Sequence, residues 1–184
     1  MQAPGGADED RSGGFAYGGW QRSFQADDLN PILGGFFGIP FELLLGKVTY
    51  DIFAGFWPTA TTDLEVAKPF NATRKYVVSH TAFEPEWNNS TCITGDVVAQ
   101  IQKLKEQDGP DLWVWGSGNL IQTLLANHLV DRMHLFIYPL TIGQGKKLFA
   151  DGTQPESFKM VGSKVSSSGA IFATYEPAGK LKAA

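Results

Sequence analysis

Two glycine turns hold the residues most able to do chemistry. The first is Gly116-Ser117-Gly118-Asn119-Leu120, which follows the apolar, aromatic run Asp111 to Trp115. Glycines there let the backbone approach a ligand closely. The helix beginning beyond them presents unpaired N–H groups at its positive end, a place to hold a phosphate. The second is Gly46-Lys47-Val48-Thr49-Tyr50, after the apolar run Phe41 to Leu45. It adds an ammonium group and a hydroxyl that can meet phosphate oxygens. Spacing alone leaves another reading open, a tight strand-to-helix turn with no ligand. Gly116 to Ile121 is not a full G-x-G-x-x-G, and no acidic residue stands about twenty positions on to read a ribose.

Other candidates are less specific. Ser79-His80-Thr81 leaves the apolar run Lys75 to Ser79, and by themselves Ser79 and Thr81 are ordinary turn residues. Asp27 and Asp28 lie just before Asn30-Pro31, a helix-start pair, where capping and dipole pairing account for them. Phe53, Phe56 and Trp57 recur at i, i+3 and i+4, the spacing of a packed helix face. His80, His128 and His134 have no ligand-like spacing, so no metal site is expected. The single cysteine, Cys92, excludes a disulfide framework and a cysteine zinc site.

The elements that must position these residues read as alternating strands and helices. Asp111 to Trp115 is a strand, Leu120, Ile121, Leu124, Leu125 and Leu129 mark a helix, and Met133 to Tyr138 is a second strand closed by Pro139. That is a βαβ unit. Phe41 to Leu45 feeds a helix that Pro58 ends near Trp57. Thr62 to Ala72 is helical after a Thr-Thr-Asp cap, and Lys75 to Ser79 and Ser90 to Thr94 are strands. Asp96 caps a helix whose apolar face is Val97, Val98, Ile101 and Leu104. Phe158 to Ser166 and Ala170 to Glu176 form a hairpin around Ser167-Ser168-Gly169, and 179–184 reads as a frayed end. Residues 1–24 carry six glycines, yet Phe15, Tyr17, Trp20 and Phe24 argue against a plain tail.

At 184 residues the chain reads as one α/β domain, 1–184, large enough to bury roughly 70% of its unfolded surface. A net charge of −4 argues against a general nucleic-acid binder. No apolar run is long enough to span a membrane, no signal peptide is evident, and a cytoplasmic protein is expected.

The order GSGNL, then LLANHLVDRMHL, then YPLTIGQGKKLF resembles the C-terminal half of the dihydrofolate reductase superfamily. More narrowly, it resembles the reductase domain of the bacterial bifunctional deaminase-reductase of riboflavin biosynthesis, and its stand-alone relatives. Leu43 to Pro58 and Lys75 to Thr81 share the likeness, so it spans nearly the whole chain. The resemblance implies a three-layer sandwich, a mixed central sheet with helices on both faces. It implies an NADPH-dependent reductase that passes hydride to a C=N or C=O of a small heterocycle or sugar-linked pyrimidine. The nearest family activity is reduction of 5-amino-6-(5-phosphoribosylamino)uracil. Two alternatives stay open: reduction of another small heterocycle, and a nucleotide-binding module without catalysis.

Carried onto this sequence, the family's cofactor site falls on Gly46, Lys47, Val48 and Thr49, on Ser79, His80 and Thr81, and on Gly116, Ser117, Gly118, Asn119 and Leu120. Lys47 stands where the family has arginine, which keeps the charge and loses the bidentate fork. Phe53 and Trp57 are implied neighbours of the substrate. Asp27 or Asp28 is the implied carboxylate near the heterocycle; the adjacent Lys146 and Lys147 read either as solvated lysines or as a basic site for a substrate phosphate. Arg132 replaces a usual acidic residue, a change expected to touch surface or subunit contacts. In the family a segment like MQAPGG follows a first strand ending in a Ser-Leu-Asp-Gly-like motif. The resemblance therefore implies a start at an internal methionine or a lost first strand, with unpaired strand edges left behind. Residues 1–24 become the loop beside the active site. A homodimer is the implied assembly.

Overall fold

The computed structural model describes residues 1–28 and 30–181. They form two compact units, Met1–Ile32 with Leu124–Ala184, and Leu33–Thr123.

The second unit is built on a parallel sheet. Its strands are β1 (Phe41–Gly46), β2 (Lys75–Val78), β3 (Ser90–Ile93) and β4 (Asp111–Trp113), in the order β3-β2-β1-β4. Leu43, Leu44 and Leu45 are all buried, so β1 is covered on both faces, as an inner strand of a parallel sheet must be. The flanking helices are α1 (Asn30–Phe37), α2 (Lys47–Phe56), α3 (Leu64–Ala72), α4 (Val97–Lys105) and α5 (Gly118–Ala126), of which α2 packs on β1 and β2. Phe41, Leu43, Leu45, Tyr50, Phe70, Val77 and Trp87 make the core, with Phe37, Phe53, Trp57, Trp113 and Trp115 packed against it. Asp96 caps α4 as expected, its carboxylate accepting from the Ala99 N–H at 3.0 Å. The Thr-Thr-Asp cap of α3 is different. Asp63 is left-handed with φ 52° and caps no N–H; its carboxylate accepts from the Thr62 hydroxyl instead.

The first unit carries β5 (Met133–Ile137), β6 (Glu156–Val165) and β7 (Ile171–Lys180), an antiparallel sheet in the order β5-β7-β6. The β6–β7 hairpin turns at 166–170, where Gly169 is left-handed with φ 81°. Parallel and antiparallel pairing thus both occur, but in separate sheets. Strand β5 spends its ladder on β7, from Met133↔Tyr175 to Ile137↔Ile171, so β4, α5 and β5 do not close the expected βαβ unit. Among the described residues no strand precedes Phe41, and β4 and β5 are each edge strands of their sheet. The expected frayed end is also corrected. Gly179 and Lys180 pair with Ser157 and Glu156; residues 182–184 lie outside the described residues.

Helix α5 ends in a Schellman turn. The Leu129 N–H reaches the Leu124 carbonyl at 2.9 Å and the His128 N–H reaches Leu125 at 3.1 Å. His128 takes the left-handed position, φ 52°, that glycine usually fills.

Residues 1–24 are packed rather than trailing. Gln2, Ala3 and Phe15 are buried. The Gln2 amide donates to the carbonyls of Asp10 and Ser12 and accepts from the Lys146 N–H. Trp20 and Phe24 pack on the Tyr138 ring, and Gln21 donates to its hydroxyl at 2.6 Å. Gly145, at φ 102°, lets Phe15 in: a Cβ there would stand 2.8 Å from the ring.

Candidate functional site

From β1 the chain steps to β2 on one side and later returns to β4 on the other side. The sheet order therefore reverses between β1 and β4. In open parallel sheets ligands gather at the carboxyl ends of the strands flanking such a reversal. Both glycine turns leave from there, Gly46 at the end of β1 and Gly116 beyond the end of β4.

The two turns are locked to each other. Ser117 Oγ accepts from the Gly46 N–H at 2.9 Å and donates to the Trp115 carbonyl at 3.0 Å. The Ser117 N–H in turn donates to Thr49 Oγ1 at 2.9 Å. Gly116 and Ser117 are both left-handed, with φ 58° and 51°. A Cβ on Gly116 would lie 3.2 Å from Thr49 Cγ2 and Oγ1, and one on Gly46 would lie 3.7 Å from Ser117 Oγ. The glycines are thus demanded by close approach of one turn to the other, and at Gly116 by backbone conformation as well. Ser117 is buried and its hydroxyl proton is already given. Its part is to set the turn. Thr49 accepts and still has a hydroxyl proton to donate.

What remains exposed above this clasp suits an anion. Gly116 and Asn119 are exposed, Gly118 is half-buried, and Leu120 points inward to the core. Val48 is 63% exposed although apolar. No side chain caps the start of α2, so its first N–H groups face outward with the helix dipole behind them. Lys47, the first residue of α2, holds Asp51 through both carboxylate oxygens at 2.7 Å, and its ammonium sits 4.6 Å from the centre of the Phe83 ring. Ser79, His80 and Thr81 follow β2. The register Gly46↔Val78 sets them beside Lys47 along the sheet edge. Within that turn Ser79 Oγ accepts from the Thr81 N–H at 3.3 Å.

The other sequence candidates make contacts of their own. Phe53 and Trp57 pack edge-on and tilted around Phe70, with centroids 5.5 to 6.0 Å apart, in the core of the second unit. The Trp57 Nε1 is buried without a hydrogen-bond partner. Asp27 and Asp28 belong to the first unit and are exposed. Asp28 accepts from the Ser167 N–H at 2.7 Å and the Ser167 hydroxyl at 3.2 Å, bracing the hairpin turn. Lys146 pairs with Asp10 at 2.6 Å and Lys147 with Asp151 at 3.1 Å. Burial pushes the Asp10 carboxyl up, but hydrogen bonds from Lys146 and Ser12 and the Lys146 charge outweigh it and hold it at about 2. Arg132, just ahead of β5, pairs with Glu176 of β7 at 2.8 Å. Among the described residues no three His, Cys, Asp or Glu side chains could hold a metal ion, and no helix is long and apolar enough to cross a membrane.

Sequence reasoning missed three groups. Asp51, four residues from Lys47, was legible as an i,i+4 pair. The Ser117–Thr49 clasp joins residues 68 apart, and no local pattern encodes it. Lys75, the first residue of β2, is fully buried. Its ammonium donates to the carbonyls of Thr73 (2.7 Å) and Asn88 (3.1 Å) and lies 4.4 Å from the centre of the Trp87 ring. Burial pulls its pKa down to about 8.

Comparison with known proteins bears on the same edge. The chain is 33% identical over 136 residues to the uncharacterized protein YyaP of Bacillus subtilis (strain 168), a match covering 72% of each. A candidate riboflavin biosynthesis protein from Shewanella sp. PV-4 superposes with a TM-score of 0.67 at 21% identity, over 86% of each chain. A pyrimidine reductase-like protein from Corynebacterium diphtheriae does so at 0.58 and 14%, over 84% of this chain and 82% of that one. These likenesses establish the α/β fold as the one those proteins share. The model of the RibD C-terminal domain matches residues 40–172. That match begins just ahead of β1, ends in β7 and takes in all three loops of the carboxyl edge, and the chain belongs to the RibD C-terminal domain family.

Proposed function

We propose that this protein is a nicotinamide-dependent reductase that uses NADPH and acts on a pyrimidine or related heterocycle. The nearest candidate is 5-amino-6-(5-phosphoribosylamino)uracil. The observation that carries this reading is the pair of interlocked glycine turns at the reversal of strand order. Family membership supports a reductase-like role, and the pyrimidine reductase-like neighbour supports the substrate class.

The residues present fit a dinucleotide. Gly116 and Asn119 leave their turn exposed, and the starts of α2 and α5 turn N–H groups toward the same edge. When bound, the reduced nicotinamide supplies the hydride. The chain's own residues bind and orient. The N–H groups of Gly118, Asn119 and Leu120, and those opening α2, hold the pyrophosphate. Thr49 donates its remaining hydroxyl proton to a phosphate oxygen. Lys47 meets the 2′-phosphate, and Ser79, His80 and Thr81 line the adenosine side, one strand over.

The test is nucleotide titration by intrinsic fluorescence, since four of the five tryptophans lie in the second unit. NADPH binding that weakens in Lys47→Ala, followed by oxidation of NADPH when the pyrimidine is added, is the expected result. A folded chain that binds neither NADPH nor NADH would remove the reductase reading.

A further inference from the structure

The charge that should greet a 2′-phosphate is already answered. Lys47 Nζ lies 2.7 Å from each Asp51 oxygen, and the pair is half-exposed, so it forms without backbone rearrangement. The Phe83 ring, 4.6 Å from the ammonium, restrains it from another side. Lys47 also opens α2, where the helix dipole disfavours a cation; Asp51 offsets that. A lysine carries three donors, so a phosphate oxygen can share the ammonium with Asp51. The two anions then stand roughly 6 Å apart, two hydrogen bonds across one nitrogen.

We infer that Asp51 is a specificity-determining residue of the nucleotide site, tempering its preference for the 2′-phosphorylated cofactor over the unphosphorylated one. The inference rests on the reading of this edge as a dinucleotide site. Asp51 opposes only a group seated at Lys47. The pyrophosphate and nicotinamide, held at the glycine turns, are common to NADPH and NADH and are insensitive to it. Coulomb repulsion of a dianionic phosphate at roughly 6 Å, in a water-like dielectric with physiological salt, amounts to about three- to tenfold in affinity. Asp51 also ties down the lysine that must move toward the phosphate, which acts in the same direction.

The experiment is the ratio of NADH to NADPH dissociation constants, by fluorescence titration at two salt concentrations, for the wild type, Asp51→Asn, Lys47→Met and the double variant. Asp51→Asn removes an exposed i,i+4 pair, which contributes little to stability, so the fold is kept. The expected result is a three- to tenfold rise in the ratio, through tighter NADPH binding with NADH unchanged, a steeper salt dependence, and no rise when Lys47 is absent. An unchanged ratio in Asp51→Asn overturns the inference while the dinucleotide reading stands. Equal tightening of both nucleotides also overturns it, since Asp51 would then act on the shared phosphates. Failure of every folded variant to bind either nucleotide overturns the reading of the site itself.

Discussion

Replacing Gly116 by alanine tests whether the two turns hold each other in the way the geometry requires. Gly116 sits at φ 58°, where an L side chain costs about 1–2 kcal/mol. The new Cβ would lie 3.2 Å from both Thr49 Cγ2 and Thr49 Oγ1, and such overpacking costs about 1–3 kcal/mol. Against this, alanine restricts the unfolded chain and returns about 0.4–1 kcal/mol. The balance is a loss of about 1–5 kcal/mol, centred near 3. The contact atoms make the source separable. Thr49→Ala removes both and alone costs about 1–3 kcal/mol, because the Ser117 N–H loses its acceptor. In the double variant the alanine at 116 has room, so the combined loss falls short of the sum by about 1 kcal/mol. Equilibrium urea unfolding, followed by fluorescence of the tryptophans in the second unit, reads all four corners of this cycle. A Gly116→Ala variant as stable as the wild type, or a cycle that closes additively, would refute the clasp.

Two further effects depend on pH. Lys75 has a folded pKa of about 8 against an unfolded value near 10.4. Between those values the unfolded chain binds more protons, so stability rises with pH across that window, by up to about 3 kcal/mol. The measurement is the wild-type unfolding free energy minus that of Lys75→Met from pH 7 to pH 10, and a flat difference sinks the argument. Asp10 is the opposite case: its carboxyl, held at about 2, sits below the unfolded value near 3.9. Its stabilisation is full above pH 4 and is lost as pH falls toward 2. Because Lys146 is half-exposed, the expected worth is discounted to about 1–2 kcal/mol. Asp10→Asn should speed proteolytic cleavage within residues 1–24 at neutral pH and make no difference near pH 2.

Local signals in the sequence were enough to find both glycine turns, the helices beyond them and the β6–β7 hairpin. Each of those depends on residues within a few positions of one another. Glycine at a strand end, an apolar period of a helix and a Ser-Ser-Gly turn are such signals. What the sequence hid was long-range. Whether β5 pairs with β4's sheet or with β7 is decided by partners some forty residues away. The burial of Lys75 is equally silent, because its cage is made of backbone carbonyls and one indole face, none of which advertises a cation. The N-terminal aromatics signalled packing without saying against what. Tyr138 is more than a hundred positions away.

The clasp also changes how the motif residues should be understood. A serine and a threonine beside glycine turns invite the same role, hydroxyl to phosphate. Here their geometry divides the work. Ser117 is buried, gives its proton to Trp115 and receives one from Gly46, so any loss of binding on its removal acts through the shape of the β1 turn. Thr49 holds the other turn from the side of α2 and keeps one proton free for a ligand. The parallel sheet requires this mutual support. Its strands end at an edge where each turn begins with glycine, the residue least able to hold a conformation alone. Two such turns at the reversal of strand order fix each other through two hydrogen bonds, leaving the N–H groups of two helix starts rigidly aimed at one edge. A preorganised set of donors binds an anion without the cost of ordering it first, and on the proposed reading that rigidity is what aiming a bound dinucleotide at a substrate would need.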